Sequence, residues 1–229
     1  MKISFYTSVL NQYNLLYLML WSLCRTVKPE EFHKIYIVAD GTTDQKVLNF
    51  LHECQFSGFE GWPPATFHII RHPVKIGPAA SLNYIIRLLD DDEGLLHLPN
   101  TALFEKNFFV NLFRAYENHP RKEEIFTFSA TPFSPSVSPA FYTLYDQRVR
   151  VAFLKGIDPL QGLELLETLF MKFKKSSLFD FLTDQANKPE VISSGDSTAV
   201  AFFTPQCFSK VGFFDEQFWQ LVRRLFQFH

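Results

Sequence analysis

An α/β fold, with a mostly parallel sheet flanked by helices, is what this sequence predicts, and three observations predict it. Strand-like and helix-like segments alternate through roughly the first hundred residues. The strand-like runs, Lys34 to Ala39 (KIYIVA) above all, are apolar at successive positions, as in strands buried on both faces. Turn-forming and helix-capping residues follow the runs, as at Asp40-Gly41-Thr42-Thr43-Asp44.

In order, Ile3 to Thr7 reads as the opening strand, and Ser8 to Asn11 as a polar elbow. Asn14 to Thr26 has helical spacing in Leu15, Leu18, Met19 and Trp21 to Leu23. The second strand, Lys34 to Ala39, leads through the Asp40–Asp44 turn to a helix from Gln45 to Cys54. After the breaker GFEGWPP comes a third strand, Thr66 to Ile70. His72-Pro73 and Gly77-Pro78 precede a helix over Ala79 to Leu89, with Leu82, Ile85, Ile86 and Leu89 on one face. A fourth strand, Gly94 to Leu98, ends at Pro99-Asn100-Thr101, and a helix from about Glu105 to Glu117 follows.

Beyond about residue 120 the pattern changes. Thr131 to Pro139 holds three prolines and reads as loop. Pro159 to Lys174 is an amphipathic helix, Val191 to Phe203 is extended, and Pro205 to Val211 is a short helix before Gly212-Phe213-Phe214-Asp215-Glu216. The expected organisation is one domain over 1–229: residues 1–120 are the half that binds the ligand, and 121–229 are the facing, acceptor-side half.

The chain has 229 residues, and 47% hydrophobic against 20% charged side chains is enough to bury a core. A net charge of −2 offers no basic field for a polyphosphate backbone, which argues against nucleic acid as a partner. Three cysteines without a CxxC pair exclude a disulfide scaffold or a cysteine zinc cluster and suit a reducing compartment. The start has no signal-peptide pattern, and the apolar run Leu15 to Cys24 is too short for a transmembrane segment, so a cytoplasmic protein is expected. The 27 phenylalanines serve either an aromatic core or a stacking platform, which composition does not separate.

In an open parallel sheet the ligand crevice lies at the carboxyl ends of the strands. Strand one delivers Ser8 and Asn11 there; strand two delivers Asp40, Thr42 and Asp44. Strand three adds Arg71, His72, Lys75 and Gly77, and strand four adds Asn100 and Thr101. Small polar and basic groups beside helix N-termini favour an anionic group such as a diphosphate, and Asp40 is an acceptor for a base or a ribose. Neither GxxxxGK[ST] nor a GxGxxG after strand one is present, which disfavours P-loop NTPases and dinucleotide dehydrogenases; the acidic run Asp90-Asp91-Asp92-Glu93 reads as a solvated loop. The seven histidines are scattered without metal-ligand spacing.

ISFYTSVLN, IYIVADGTTD, RHPVKIGPAASLN and TPQCFSKVGFFDEQFW, in that order, resemble the landmarks of family 2 glycosyltransferases with the GT-A fold. The resemblance implies a GT-A-type, Rossmann-like sheet and transfer of a sugar from a nucleoside diphosphate sugar to an acceptor hydroxyl of a carbohydrate or glycoconjugate, with inversion. It implies that Asp40 reads the base, that Ser8, Val9 and Asn11 line the nucleoside pocket, and that Asp44 caps its helix or approaches the ribose. Gly77 would let backbone pass close to the donor, with Asn83 on the helix behind it, and Arg71, Asn100 and Thr101 beside the diphosphate.

Two departures from the family pattern stand out. The family ends strand four with Asp-x-Asp, which holds Mn²⁺ or Mg²⁺ on the diphosphate, but here the position reads Leu98-Pro99-Asn100-Thr101, without a carboxylate. Neutralisation would then fall to Arg71 or Lys75, or metal binding would be weak or lost. The family also places a base carboxylate after its Gly-Phe-Asp-Glu element, whereas no acid follows Glu216 here. Asp196, Asp215 and Glu216 are the nearest candidates for that base, and Trp219 is the candidate for holding an acceptor sugar. The rival expectation is a non-catalytic nucleotide-sugar-binding or assembly domain. A nucleotidyltransferase fits less well, because its glycine-rich basic loop is missing.

Overall fold

A computed structural model describes residues 2–100, 102, 104, 108–120, 122, 127–130 and 200–216. They belong to a compact unit formed by residues 1–130 and 199–229; a second unit, 131–198, lies outside the described residues. The expected loop at Thr131–Pro139, the helix at Pro159–Lys174 and the extended stretch before residue 200 fall there.

A six-stranded sheet is the frame. Strands β1 (Lys2–Val9), β2 (Ile35–Asp40), β3 (Phe67–His72) and β4 (Glu93–His97) are parallel in the order β3-β2-β1-β4. Beyond β4 lie β6 (Val200–Phe203), antiparallel to it, and then β5 (Thr127–Ala130), antiparallel to β6. The sheet is therefore mixed but mostly parallel, the GT-A type of arrangement.

Each strand sends alternate side chains to opposite helical layers. Phe5, Ile35, Ile37, Leu96 and Phe202 pack with Leu16, Met19, Leu20 and Leu23 of α1 (Tyr13–Thr26), Val47, Phe50 and Leu51 of α2 (Gln45–Ser57), and Phe109 and Leu112 of α4 (Phe108–Glu117). On the other face Tyr6, Tyr36, Val38, Leu95 and Phe203 pack with Leu82, Ile85 and Ile86 of α3 (Pro78–Ile86) and Cys207 of α5 (Pro205–Val211). Fully buried aliphatic side chains of this kind stabilise the fold by about 1.5–3 kcal/mol each. The described aromatics largely serve this core: Phe5 stacks on Phe32, and Phe113 and Tyr116 meet Phe202 edge-on. Cys24, Cys54 and Cys207 are buried free thiols, their pKa values raised by burial.

Several sequence expectations are corrected. α2 continues to Ser57, while α3 closes at Ile86 rather than Leu89, because Leu88 and Leu89 donate to the carbonyls three residues back. The strand β5 was not anticipated. The acidic run is not wholly a solvated loop: Glu93 opens β4 and is 1% exposed. Its carboxylate accepts from Ser4 Oγ and from the Asp90 N–H at 3.0 Å, with Lys34 Nζ at 3.7 Å.

That network closes the amino-terminal edge of the sheet on the α3 side. Glu93→Ala strands the buried Ser4 hydroxyl, at a cost of about 1–3 kcal/mol, and frees the part-buried Asp90 N–H and the Lys34 ammonium from their partner. Urea unfolding should therefore show a loss of about 3 kcal/mol, and an unchanged midpoint would refute this role.

Candidate functional site

The carboxyl edge of the sheet is built around Asp40, the last residue of β2 and 6% exposed. Its two oxygens accept from consecutive main-chain N–H groups of the β3–α3 loop, Ile76 at 2.7 Å and Gly77 at 2.9 Å. Such charge-assisted bonds contribute more than neutral ones, about 1.5–3 kcal/mol each. Gly41 adds a second junction. It has φ +71°, donates its N–H to the His72 carbonyl, and a Cβ there would lie 2.6 Å from the Lys75 nitrogen. Only glycine allows the β2–α2 turn and the β3–α3 loop to pack this closely.

Asn11 fastens the end of β1 to the same turn. Its carbonyl oxygen accepts from Thr43 N at 3.0 Å and Asp44 N at 3.1 Å, while Thr42 Oγ1 donates to the Val9 carbonyl at 3.1 Å. Asp44 caps α2, accepting from Lys46 N at 2.9 Å, one of the two roles expected of it. Ser8 and Val9 prove to be part of β1 rather than of a loop. Val9 packs its side chain into the core, so its carbonyl, not its side chain, faces the turn.

Gly77, at φ +96°, precedes α3 with open space where a side chain would stand and no side-chain cap on the helix. At this end of α3 two buried hydroxyls, Tyr6 (2% exposed) and Ser81 of the helix itself (0%), lie close to one another and to Ser8 but outside good hydrogen-bond geometry. Burial raises the Tyr6 pKa; the Ser8 and Ser81 hydroxyls oppose that rise and the Asp40 charge adds to it, which puts all four groups in one neighbourhood. His72 holds a buried, unpartnered Nε2, and burial lowers the His97 pKa to about 4, so its imidazole is neutral. Sequence reasoning named neither Tyr6 nor Ser81; a tyrosine and a serine inside apolar runs carry no local signal.

Asn83, 1% exposed, joins α3 to the Gly-Phe-Phe-Asp-Glu segment. Its amide donates to the Phe214 carbonyl and to Glu216 Oε1, both at 2.9 Å, and its oxygen accepts from the Phe214 N–H at 2.9 Å. The Arg87 guanidinium lies over the Phe213 ring at 4.8 Å. Asp215 and Glu216 are exposed beside this junction. Thr101, Asp196 and Trp219 lie outside the described residues.

Where the family resemblance calls for a metal, the donors do not fit. Pro99 has no side-chain donor, and the Asn100 amide donates to Gln12 Oε1 at 3.2 Å. Among the described residues the one group with metal-ligand chemistry, His33, Asp90 and Glu93, comes from segments at the opposite edge of the sheet. Its carboxylates already face Lys2 at 3.0 Å and Lys34 at 3.7 Å. No helix among the described residues is long and apolar enough to cross a membrane.

No protein-family model matches the sequence, and no curated protein sequence matches it either. The fold is similar to that of the mannosyltransferase PcManGT from Pyrobaculum calidifontis, solved with GDP-Man and Mn²⁺, at 11% identity and a TM-score of 0.56. The alignment covers 94% of this chain and 48% of that one. Fainter likenesses are to the Mycobacterium tuberculosis glucosyl-3-phosphoglycerate synthase (10% identity, 90% and 56% covered, TM-score 0.45) and to S. aureus TarS with UDP-GlcNAc (17%, 63% and 43%, TM-score 0.41). The chain thus spans about half the length of the mannosyltransferase. The fold is of the GT-A type.

Asp40 therefore has a structural duty that the sequence does not reveal. Asp40→Ala should lower the free energy of unfolding by about 3 kcal/mol, through two main-chain donors left without their acceptor. Calorimetric unfolding indistinguishable from the unsubstituted protein would contradict the clamp.

Proposed function

We propose that this chain is a glycosyltransferase that takes a nucleoside diphosphate sugar and transfers its sugar to an acceptor hydroxyl with inversion. The observation that carries the reading is the Asp40 clamp on the β3–α3 loop, which with the Asn11 bonds gathers the ends of β1, β2 and β3 and the start of α3 at one edge of a GT-A sheet. Residues 1–120 are assigned to donor recognition and 121–229 to the acceptor side. Asn11, Ser8 and Asp44 lie beside the nucleoside; Arg71, Gly77, Asn100 and Thr101 lie beside the diphosphate. Asp40 keeps lone pairs beyond its two main-chain bonds, and these suit it to accept from the base as well.

The chemistry is a single displacement. The acceptor oxygen forms a bond to the anomeric carbon as the bond from that carbon to the diphosphate oxygen breaks. The acceptor proton passes to a carboxylate, and the diphosphate leaves with the electron pair. Of Asp196, Asp215 and Glu216, we assign this base to Glu216, because Asn83 holds its Oε1 in a fixed place while the side chain stays exposed. Trp219 is assigned to the acceptor sugar. The donors of the β4 corner favour a second reading, a domain that binds the donor without turnover.

Calorimetry with UDP, GDP and dTDP and a turnover assay with the corresponding sugar nucleotides separate the two. Glu216→Gln should lower turnover about 100-fold or more while nucleotide affinity stays within twofold. Nucleotide binding with no turnover of any donor by the unsubstituted chain would support the non-catalytic reading. Absence of nucleotide binding would remove both.

A further inference from the structure

We infer that the crevice binds its nucleoside diphosphate without a divalent cation, with Lys75 supplying the positive charge. This rests on the nucleotide reading above and adds to it how the diphosphate is held. In the corner that follows β4, Pro99 and Asn100 offer no carboxylate, and the Asn100 amide is turned to Gln12. The carboxylates at the end of β2 and in the turn after it already accept main-chain hydrogen bonds, Asp40 from Ile76 and Gly77 and Asp44 from Lys46, and neither belongs to the β4 corner. Neutral amide oxygens alone bind a hard divalent ion poorly.

Positive charge gathers on the same edge. Lys75 is exposed, and its backbone is pinned between Gly41 on one side and the Asp40-held N–H groups of the next two residues on the other. Arg71 is exposed at the end of β3, and neither cation is in an ion pair among the described residues. The uncapped amino end of α3 adds a partial positive charge. The Tyr6 and Ser81 hydroxyls, both more than nine-tenths buried, stand at this end of the helix without a well-aligned hydrogen bond. An ammonium on a backbone held in this way, together with the amino end of α3, can offset diphosphate charge as a cation would.

Calorimetry on the full chain with UDP, GDP and dTDP, once with Mn²⁺ and once with EDTA, tests the inference. The tightest-binding nucleotide should differ less than about threefold between the two buffers. Lys75→Ala should weaken it about tenfold in both, and Lys75→Arg should restore most of the loss; the exposed side chain leaves folding intact, as circular dichroism would verify. A tenfold or greater tightening by Mn²⁺ overturns the inference and leaves the nucleotide reading standing, as does binding unaffected by Lys75→Ala. No binding of any nucleotide in either buffer overturns both.

Discussion

The site depends on one carboxylate. Asp40 is the last residue of β2, and the two N–H groups it holds belong to a loop that begins after the neighbouring strand. A carboxylate at a strand end, with both oxygens on main-chain donors, fixes a loop in position and orientation. A single bond would leave it free to swing. Gly41 makes the arrangement possible, because any side chain there would meet the Lys75 backbone. The start of α3 inherits its place from this pair of contacts. Through Asn83, five residues further along, α3 fixes the Phe214 backbone and the Glu216 carboxylate in turn.

The two ends of the sheet handle polarity differently. At the amino edge, Glu93, Ser4, Lys34 and the Asp90 main chain satisfy one another, and the network is closed. At the carboxyl edge, Tyr6, Ser81 and His72 keep polar atoms that no neighbour satisfies. Buried polar atoms left without partners cost free energy, and they cluster where a fold meets something other than itself. The contrast supports placing the donor at the carboxyl edge and a purely structural role at the other.

Much of the frame was legible in the sequence because β1, β2 and β4 are largely buried on both faces and the turns after the strands carry glycine, proline or capping residues. β5 was not legible: Thr127-Phe128-Ser129-Ala130 is short, and its pairing with β6 depends on a partner some seventy residues away. Glu93 was misread because four adjacent acids look alike until strand pairing places the fourth inside. The position of Asp40 was visible, but its partners were not, since no local pattern announces main-chain donors in a loop 36 residues on. The same holds for Asn83 and Phe214, 131 residues apart. Long-range hydrogen bonds are set by topology, and a single sequence records only one end of each.

Hydrogen–deuterium exchange on the full chain, with and without the tightest-binding nucleoside diphosphate, addresses the location of the site most directly. Protection should rise in segments covering 8–12, 39–44, 73–80 and 98–100, the stretches that meet at the carboxyl edge. Protection confined to residues around His33 and Asp90–Glu93, at the amino edge, would contradict the account.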